Sequence, residues 1–556
     1  MTKPKNLCEA LQKSFKSVGN RNCVTFLPKG DPLKAVSLSG IEIHEKAVEM
    51  ACRIQKRTEL LNNQKKPILL AMSPGLDFVI TFIASVYAGI TIAPIPVSNN
   101  KLQHERIQNI INDCNASEVL CDESGYEALK GLLNDSTFKL HRIIDHEDEP
   151  CGQYELIGLA SSPEDPAYIQ YTSGSYKKPK GILLSHGNVL HNLGLVASIC
   201  GFNEKTVTGS WLPHYHDMGL GTILVSLLYG STIIFMSPLA FIQKPIRWLK
   251  MISDYKITLS GAPPFAYDLC CKRIGLEEIN GLDLSSWEHA FVSSEVVHKK
   301  VIQSFQNKFS SVGLAPDSLF ACYGMAEANL FVGGEKQIKK AKISESGLEE
   351  LIEPCFLSAE IKKSIIIVDF ITQQQLPDGE KGEIWIQSPS LTKGYIMPSA
   401  EDVIKISTTA FQKTCAGQEG KWFGSGDVGY LDGDKLYVLG RQKDTIKVNG
   451  INVSASDVEW YASDVHPNLN PAGAAAFKTN DNEACLLIET FTSDPMNIEE
   501  IKAQIRSKIL SYFSLSLEHI LVLKSGTLDR TSSGKIRRYT ISQSFHPYIY
   551  GRKLVG

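Results

Sequence analysis

From Pro67 to the helix expected near Val297, short apolar or β-branched runs alternate with longer stretches of helical periodicity. Pro67–Met72, Thr91–Pro94, Glu118–Cys121, Ser231–Met236, Ile257–Ser260 and Ala290–Val292 have no polar face and are predicted to be buried strands. Between them lie helical stretches at 76–88, 101–112 and 221–228, near Trp248, through Asp268 and from about Val297. Strands joined through helices run parallel and are covered on both faces. The alternation therefore predicts an α/β chain with a large multi-layer N-terminal domain and binding loops at the strand ends. Residues 24–26 and 35–38 add a short hairpin in front, and His44–Leu61 a helix.

At 556 residues the chain exceeds a single core. Strand-like segments around Pro377-Asp378-Gly379, from Ile365 to Ile386, predict a small β subdomain. A compact α+β unit follows, with strands near 473–478 and 484–490 and a helix at 498–512. The expected division is 1–440 and 441–556, with Gly440-Arg441-Gln442-Lys443-Asp444 as the joint. The apolar run Met218–Ile242 is long enough for a membrane span. Gly230, Ser231 and Thr232 break it and Pro238 closes it, so a buried helix followed by a strand is predicted instead. Thirteen cysteines without a C-x-x-C pair fit reduced thiols in a cytoplasmic protein. The N-terminal MTKPKNLCEALQKSF lacks the apolar core of a secretory signal. A net charge of −3 gives no sign of nucleic-acid binding.

Five segments carry chemistry. Tyr171–Gly181, YTSGSYKKPKG, follows a buried strand and leads through a second strand into a capped helix. Its small residues Thr172, Ser173, Gly174 and Ser175 let the backbone approach an anion, and Lys177, Lys178 and Lys180 would neutralise it. It is not a GxxxxGK[ST] loop. Tyr323-Gly324-Met325-Ala326-Glu327 combines a ring able to stack on a purine with a carboxylate able to hold Mg²⁺; it could equally be a core aromatic and a capping glutamate. Gly424–Tyr430, GSGDVGY, places Asp427 in what reads as a glycine-flanked turn, suited to accepting two ribose hydroxyls or to a plain Asx turn. Trp211–Leu220, WLPHYHDMGL, brings His214, His216 and Asp217 to a strand-to-helix loop without a third metal ligand nearby; Asp217 could cap the helix. Thr531–Arg538, TSSGKIRR, presents Lys535 in a Ser/Gly turn.

In their order along the chain, the five segments resemble those of the adenylate-forming superfamily: acyl-CoA synthetases, peptide-synthetase adenylation domains, luciferases and fatty acyl-AMP ligases. W-L-P-x-x-H-D-M-G-L and the Ala326/Ala328 pair are most similar to the fatty acyl-AMP ligase branch. The resemblance implies activation of a fatty acid by ATP with Mg²⁺, giving acyl-AMP and pyrophosphate. It implies a large adenylation domain and a mobile C-terminal lid pivoting at Lys443. Thr172, Ser173, Gly174, Ser175 and Lys180 would hold the phosphates. Ser294, Glu295, Tyr323, Gly324 and Met325 would border the adenine, and Asp427 and Arg441 the ribose. Glu327 and Thr172 would hold the metal. Trp211, His216, Asp217, Met218 and Gly221 would shape the acyl pocket, with His216 at its gate. Lys535 would bridge carboxylate and α-phosphate as the catalytic cation. The implied acceptor is a carrier-protein phosphopantetheine on another chain; a CoA ligase is the alternative, and a non-catalytic nucleotide or acyl-adenylate binding homologue a further one. The chain departs from the family at Tyr176 and Lys177, where relatives carry Ser or Thr and a small residue. Ser425 replaces the commoner Thr, and Ser293-Ser294-Glu295 stands for Gly-Ala-Glu.

Overall fold

The computed structural model describes residues 4–60, 66–97, 101–131, 139–142, 156–172, 179–336, 351–397, 405–448, 451–491, 497–531, 534–546 and 554–555. Two helices without a polar face dictate the layering. In Leu76–Tyr87 every residue from Phe78 onward is buried, and in Asp217–Leu228 every residue from Met218 to Leu227 is buried. A helix apolar all round must be covered all round.

Two sheets do the covering. One has seven strands in the order Leu319–Ala321, His289–Val292, Leu259–Ala262, Val207–Ser210, Thr232–Met236, Asn22–Leu27 and Val36–Ser39, all parallel except the antiparallel edge strand Val36–Ser39. The other has eight, in the order Lys405–Ser407, Tyr395–Met397, Gly181–Ser185, Pro166–Tyr171, Ile92–Ile95, Ile68–Ala71, Glu118–Cys121 and Lys139–Arg142. One core joins both helices to Val24, Ile233 and Phe235 of the first sheet and Ile68, Ile92, Tyr168 and Ile182 of the second.

The Met218–Ile242 run is thus the sandwiched helix, the strand Thr232–Met236 and the short helix Pro238–Gln243. Among the described residues no helix is long and apolar enough to cross a membrane. The sandwiched helix starts at Asp217, four residues before the expected Gly221, and His216 is its N-cap. Asp217 is therefore not the cap: it is the first helical residue, and its Oδ1 accepts from Met218 N at 2.7 Å. All cysteines among the described residues are free thiols.

Ile365–Val368 and Gly382–Ile386 pair antiparallel, as the Pro-Asp-Gly turn implies. The sheet extends further, taking in Phe423–Asp432, Lys435–Arg441 and Cys355–Phe356. After Arg441 a single turn, Gln442–Asp444, leads to Thr445–Val448. Beyond it, Leu469–Lys478, Ala484–Thr490 and His519–Lys524 form a sheet covered by Ala455–Ser463 and Ile498–Phe513. Val458, Leu486, Ile505 and Ile520 share a core of their own there. This C-terminal unit rests on the rest of the chain at definite points. The His298 ring stacks on Trp460 with centroids 4.4 Å apart, Lys300 pairs with Asp464 at 2.6 Å, and Lys272 Nζ donates to Ser463 O at 3.3 Å.

Candidate functional site

The two ends of the YTSGSYKKPKG stretch, Tyr171 and Gly181, are register partners in the antiparallel strands Pro166–Tyr171 and Gly181–Ser185. Thr172 N donates to Lys180 O at 3.0 Å, and Lys180 N to Thr172 Oγ1 at 3.2 Å, which closes the neck. Gly181 is required there: a Cβ would lie 2.9 Å from the Tyr171 ring. Ser185 caps the following helix His186–Ile199 through a reciprocal pair with Asn188. Ser173, Gly174 and Ser175, with Tyr176, Lys177 and Lys178, lie outside the described residues.

Tyr395 links this hairpin to Glu327. Its hydroxyl donates to Glu327 Oε1 at 2.8 Å, and Lys180 Nζ sits 4.4 Å from its ring centroid. Thr392 N, three residues earlier, donates to Glu327 O at 2.9 Å. Burial, then the Glu327 charge, push the Tyr395 hydroxyl upward, so it remains a donor. Glu327 and Thr172 offer hard oxygen ligands. One carboxylate beside a phosphate loop suits Mg²⁺, which takes most of its shell from phosphates and water. Among the described residues no cluster of three or more acidic, His or Cys side chains competes for a metal.

Asp427 is held from two sides. The Tyr323 hydroxyl donates to Oδ2 at 2.6 Å and Arg441 Nε to Oδ1 at 3.0 Å. Asp427 and Arg441 are direct cross-strand partners, so sheet register sets their pairing. Asp427 is not in a turn, as its glycines led one to expect. It lies within the strand Phe423–Asp432, where Gly426 takes φ +74 and the register with Gly382–Ile386 shifts. The irregularity is stitched by Ser425, whose Oγ accepts from Asp427 N at 3.0 Å. Asp427 raises the Arg441 pKa, and burial followed by Asp427 raises that of Tyr323. Gly324 admits no side chain, since a Cβ would sit 1.9 Å from Leu330 O. Met325 is buried beside it.

Lys535 reaches the site from the C-terminal unit. Thr531 N donates to Lys535 O at 2.7 Å and Gly534 N to Thr531 O at 2.9 Å, forming a tight turn with Gly534 at φ +84. Lys535 Nζ donates to Ser294 O at 3.0 Å. Ser294 has φ +76, and its Oγ is 3.7 Å from Met218 Sδ. The neighbouring Glu295 is exposed, and its charge acts on Arg538. Arg538 donates to both Glu459 oxygens at 2.7 and 2.8 Å and pairs with Asp444 at 3.0 Å. The lysine turn is thus tied to the residue after Lys443.

The WLPHYHDMGL loop divides its two histidines. His214 donates from Nε2 to Met72 O at 2.9 Å and packs on Phe78, a structural position and no metal ligand. His216 Nε2 is buried without a hydrogen-bond partner. Burial first, then the Arg106, Lys535 and His214 charges, push His216 down to about 3. These shifts favour the neutral imidazole near pH 7. Burial raises the Asp217 carboxyl, opposed by Lys535 and the Met218 N–H. Trp211 stacks on Phe241 at 3.9 Å. Gly219 would clash with Pro213 O at 2.1 Å, and Gly221 with Leu330 Cδ2 at 2.7 Å, if either carried a Cβ.

Two site residues escaped the motifs, Tyr395 and Arg106, while Arg538 closes the TSSGKIRR segment without a role having been read for it. Arg106 is buried and donates from Nη2 to Thr172 O at 2.8 Å; burial, then Arg537, lower its pKa to about 10. The signal available for it was a charge beside the apolar stripe Ile107, Ile110, Ile111 of the helix Lys101–Cys114. Tyr395 had none, being a lone aromatic after a glycine.

Residues 12–396 match the family model of AMP-binding enzymes, and residues 443–549 match a model described as the Disco-interacting protein 2-like AMP domain. The medium-chain-fatty-acid–[acyl-carrier-protein] ligase JamA of Moorena producens is 31% identical over 97% of this chain and 95% of its own. The corresponding ligase TtuA of Teredinibacter turnerae is 29% identical over 88% and 86%. The crystal structure of a fatty acyl-adenylate ligase from L. pneumophila, in complex with acyl adenylate and pyrophosphate, is 27% identical. It superposes with a TM-score of 0.70 over 99% of this chain and 97% of its own.

Tyr395→Phe keeps the ring under Lys180 and deletes the donor to Glu327. A hydrogen bond to a charged group contributes about 1.5 kcal/mol or more, so the KM for Mg·ATP is expected to rise about tenfold. The KM for the carboxylate substrate should not move. Pyrophosphate exchange at varied Mg·ATP and at varied carboxylate measures both, and an unchanged Mg·ATP KM would separate Tyr395 from any metal held at Glu327.

Proposed function

This chain belongs to the AMP-binding enzyme family, and on that footing we propose that it activates a fatty acid with ATP and passes the acyl group to the phosphopantetheine thiol of a separate carrier protein. The observation that carries this reading is the reach of Lys535 to Ser294 O, beside His216 and Asp217. The fatty-acid and carrier-protein ligases JamA and TtuA support the substrate and acceptor.

In the first step a carboxylate oxygen bonds to the α-phosphorus while the bond to the β-bridging oxygen breaks, and pyrophosphate leaves with the electron pair. No protein nucleophile is needed. The obstacle is bringing two anions together, and Lys535 is the cation that offsets their repulsion. His216, neutral near pH 7, can donate from its unpartnered Nε2 to the carboxylate without adding charge. Asp427, fixed by Tyr323 and Arg441, would accept the ribose hydroxyls. The hairpin from Thr172 to Lys180 would hold the phosphates. Glu327 and Thr172 would hold Mg²⁺, which when bound neutralises phosphate charge. In the second step a thiolate sulfur bonds to the acyl carbon as the bond to AMP breaks. Lys535 fills the approach in the first step, so residues 441–556 would turn about Lys443 to admit the thiol.

Lys535→Ala should lower ATP–pyrophosphate exchange about a hundredfold or more, the scale of a preorganised electrostatic contact, while ATP binding persists. Near-normal exchange would sink the assignment. Acyl transfer to a holo-carrier protein should exceed transfer to CoA; the reverse result would make the chain a CoA ligase.

The turn of the C-terminal unit has a pH signature. Burial, then Glu459, raise the Asp457 carboxyl to about 7, with Lys381 opposing, and burial lowers His298 to about 3. The two lie 3.6 Å apart across the joint, and with these shifts His298 is neutral and Asp457 about half protonated at pH 7. Docked Asp457 holds an extra proton between its ordinary value of 3.8 and about 7, so its contribution to docking falls as pH rises through that window. Undocked His298 holds an extra proton between about 3 and its ordinary 6.5, so its contribution grows with pH. The two oppose each other in the native chain. Asp457→Asn should therefore undock as pH falls below about 6.5, whereas His298→Gln should dock more firmly as pH falls from about 7. Energy transfer between dyes on the two units reads this, and parallel slopes would refute it.

A further inference from the structure

Two segments leave the seven-stranded sheet side by side at one corner. Phe26 and Leu27 are register partners of Phe235 and Met236, so the turn after Leu27 and the helix Pro238–Gln243 start from adjacent strand ends. Gly30, at φ +70, closes the contact between them: a Cβ there would meet Arg247 Cδ and Met236 Sδ at 2.9 Å. The helix has two faces. Phe241 points inward and stacks on Trp211, whereas Leu239 and Ile242 are 63% and 50% exposed. The turn adds Leu33, 94% exposed, and the edge strand adds Val36, 50% exposed and paired with Phe26. Scattered exposed aliphatics need no explanation, but four on adjoining tips of one corner do.

The charge around them has one sign. Residues 27–36 and 237–250 carry Lys29, Lys34, Lys244, Arg247 and Lys250 against Asp31 alone, in a chain of net charge −3. The Asp31 carboxylate is engaged locally, accepting from Leu33 N at 3.0 Å. The four lysines are exposed, and Arg247 donates to Ala240 O at 3.0 Å.

We propose that this corner is a docking surface for an anionic lipid bilayer. Protruding aliphatic tips ringed by lysines match an interface where apolar side chains enter the acyl boundary and cations meet lipid phosphates. Leu33, 94% exposed, stands out from the surface, a shape that a soft lipid layer accommodates and a folded partner would have to match with a pocket. The corner also adjoins the candidate acyl pocket. Ser210 is the register partner of Phe235, so Trp211 emerges at the same sheet edge, with Phe241 as the wall between pocket and patch. Binding to lipid stands on these features alone; delivery of a fatty acid from the bilayer to the pocket rests on the function proposed above.

The test is flotation of the full chain with vesicles of phosphatidylcholine alone and with added phosphatidylglycerol. Binding is expected only to the anionic vesicles and should fall at high salt. Lys34→Gln/Lys244→Gln should weaken it about thirtyfold, and Leu33→Ser/Leu239→Ser about tenfold or more. Circular dichroism and pyrophosphate exchange on dissolved fatty acid should stay unchanged in both variants. Equal binding to neutral vesicles, or variants that float like the native chain, would overturn the proposal. So would variants that float normally but raise the KM for a carrier protein, which would make the corner a surface for an acidic protein. Loss of exchange with every fatty acid alongside intact flotation would instead remove the function and leave the surface.

Discussion

Everything in the large part of this chain follows from having to hide two helices that have no polar side. A helix such as Asp217–Leu228 cannot lie on a single sheet, because half of its circumference would face water. Two sheets and the helices between them are the least structure that covers it, and one continuous core joins all of these. That requirement also builds the site. The N-terminal end of the buried helix emerges between the sheets, carrying His216, Asp217 and Met218 with it. Tyr171 and Gly181, the two ends of the proposed phosphate segment, lie paired at strand ends of the second sheet, and Trp211 leaves the first at the end of Val207–Ser210. The glycines of WLPHYHDMGL serve the same packing: Gly219 allows the loop to fold back on Pro213 O, and Gly221 lets Leu330 approach.

The layered fold was legible because its strands are short, apolar and separated by helical periodicity; Glu118–Cys121 was readable to the residue. The helix start at Asp217 was not, since Gly219 and Gly221 look like loop residues unless the backbone they contact is known. The Asp427 turn was misread for a related reason. Glycines on both sides of an acid imply a turn locally, but strand pairing with Lys435–Arg441 overrides them and leaves only an irregular register. The charged residues divide the same way. Lys535, Glu327 and Asp427 sit in strings that are recognisable as strings. Tyr395 and Arg106 act only through partners distant in sequence, at Glu327 and Thr172, and Arg538, though inside the TSSGKIRR string, acts through the distant Glu459; no local pattern announces such pairs.

The site's charges are arranged by what holds each of them. Asp427 has two donors, and Glu327 has the Tyr395 hydroxyl on one oxygen. Both acids are therefore fixed in place by donors, so that an incoming hydroxyl or cation meets a fixed acceptor. Such preorganisation is the main means by which a site with no nucleophile can lower a barrier. Lys535 differs: its one described side-chain partner is a main-chain carbonyl, a neutral acceptor that positions the ammonium without cancelling its charge. In the proposed reaction, an ion pair at that position would consume the field that the two reacting anions need.

The same reasoning explains why His216, the proposed gate of the acyl pocket, favours its neutral form. His216 is buried with Arg106 and Lys535 acting on it, and each of these disfavours a second cation. A protonated imidazole would compete with Lys535 for the carboxylate and would switch off in the physiological range. A neutral one with an unpartnered Nε2 offers a hydrogen bond whose strength does not change near pH 7. Orientation is then the task of the imidazole and attraction that of the lysine. The two tasks sit on different structural units, His216 at the end of the sandwiched helix and Lys535 on the C-terminal turn. On the proposed mechanism, moving the C-terminal unit would withdraw the attraction and leave the oriented acyl group in place, which is the order of events that a two-step transfer through one site requires.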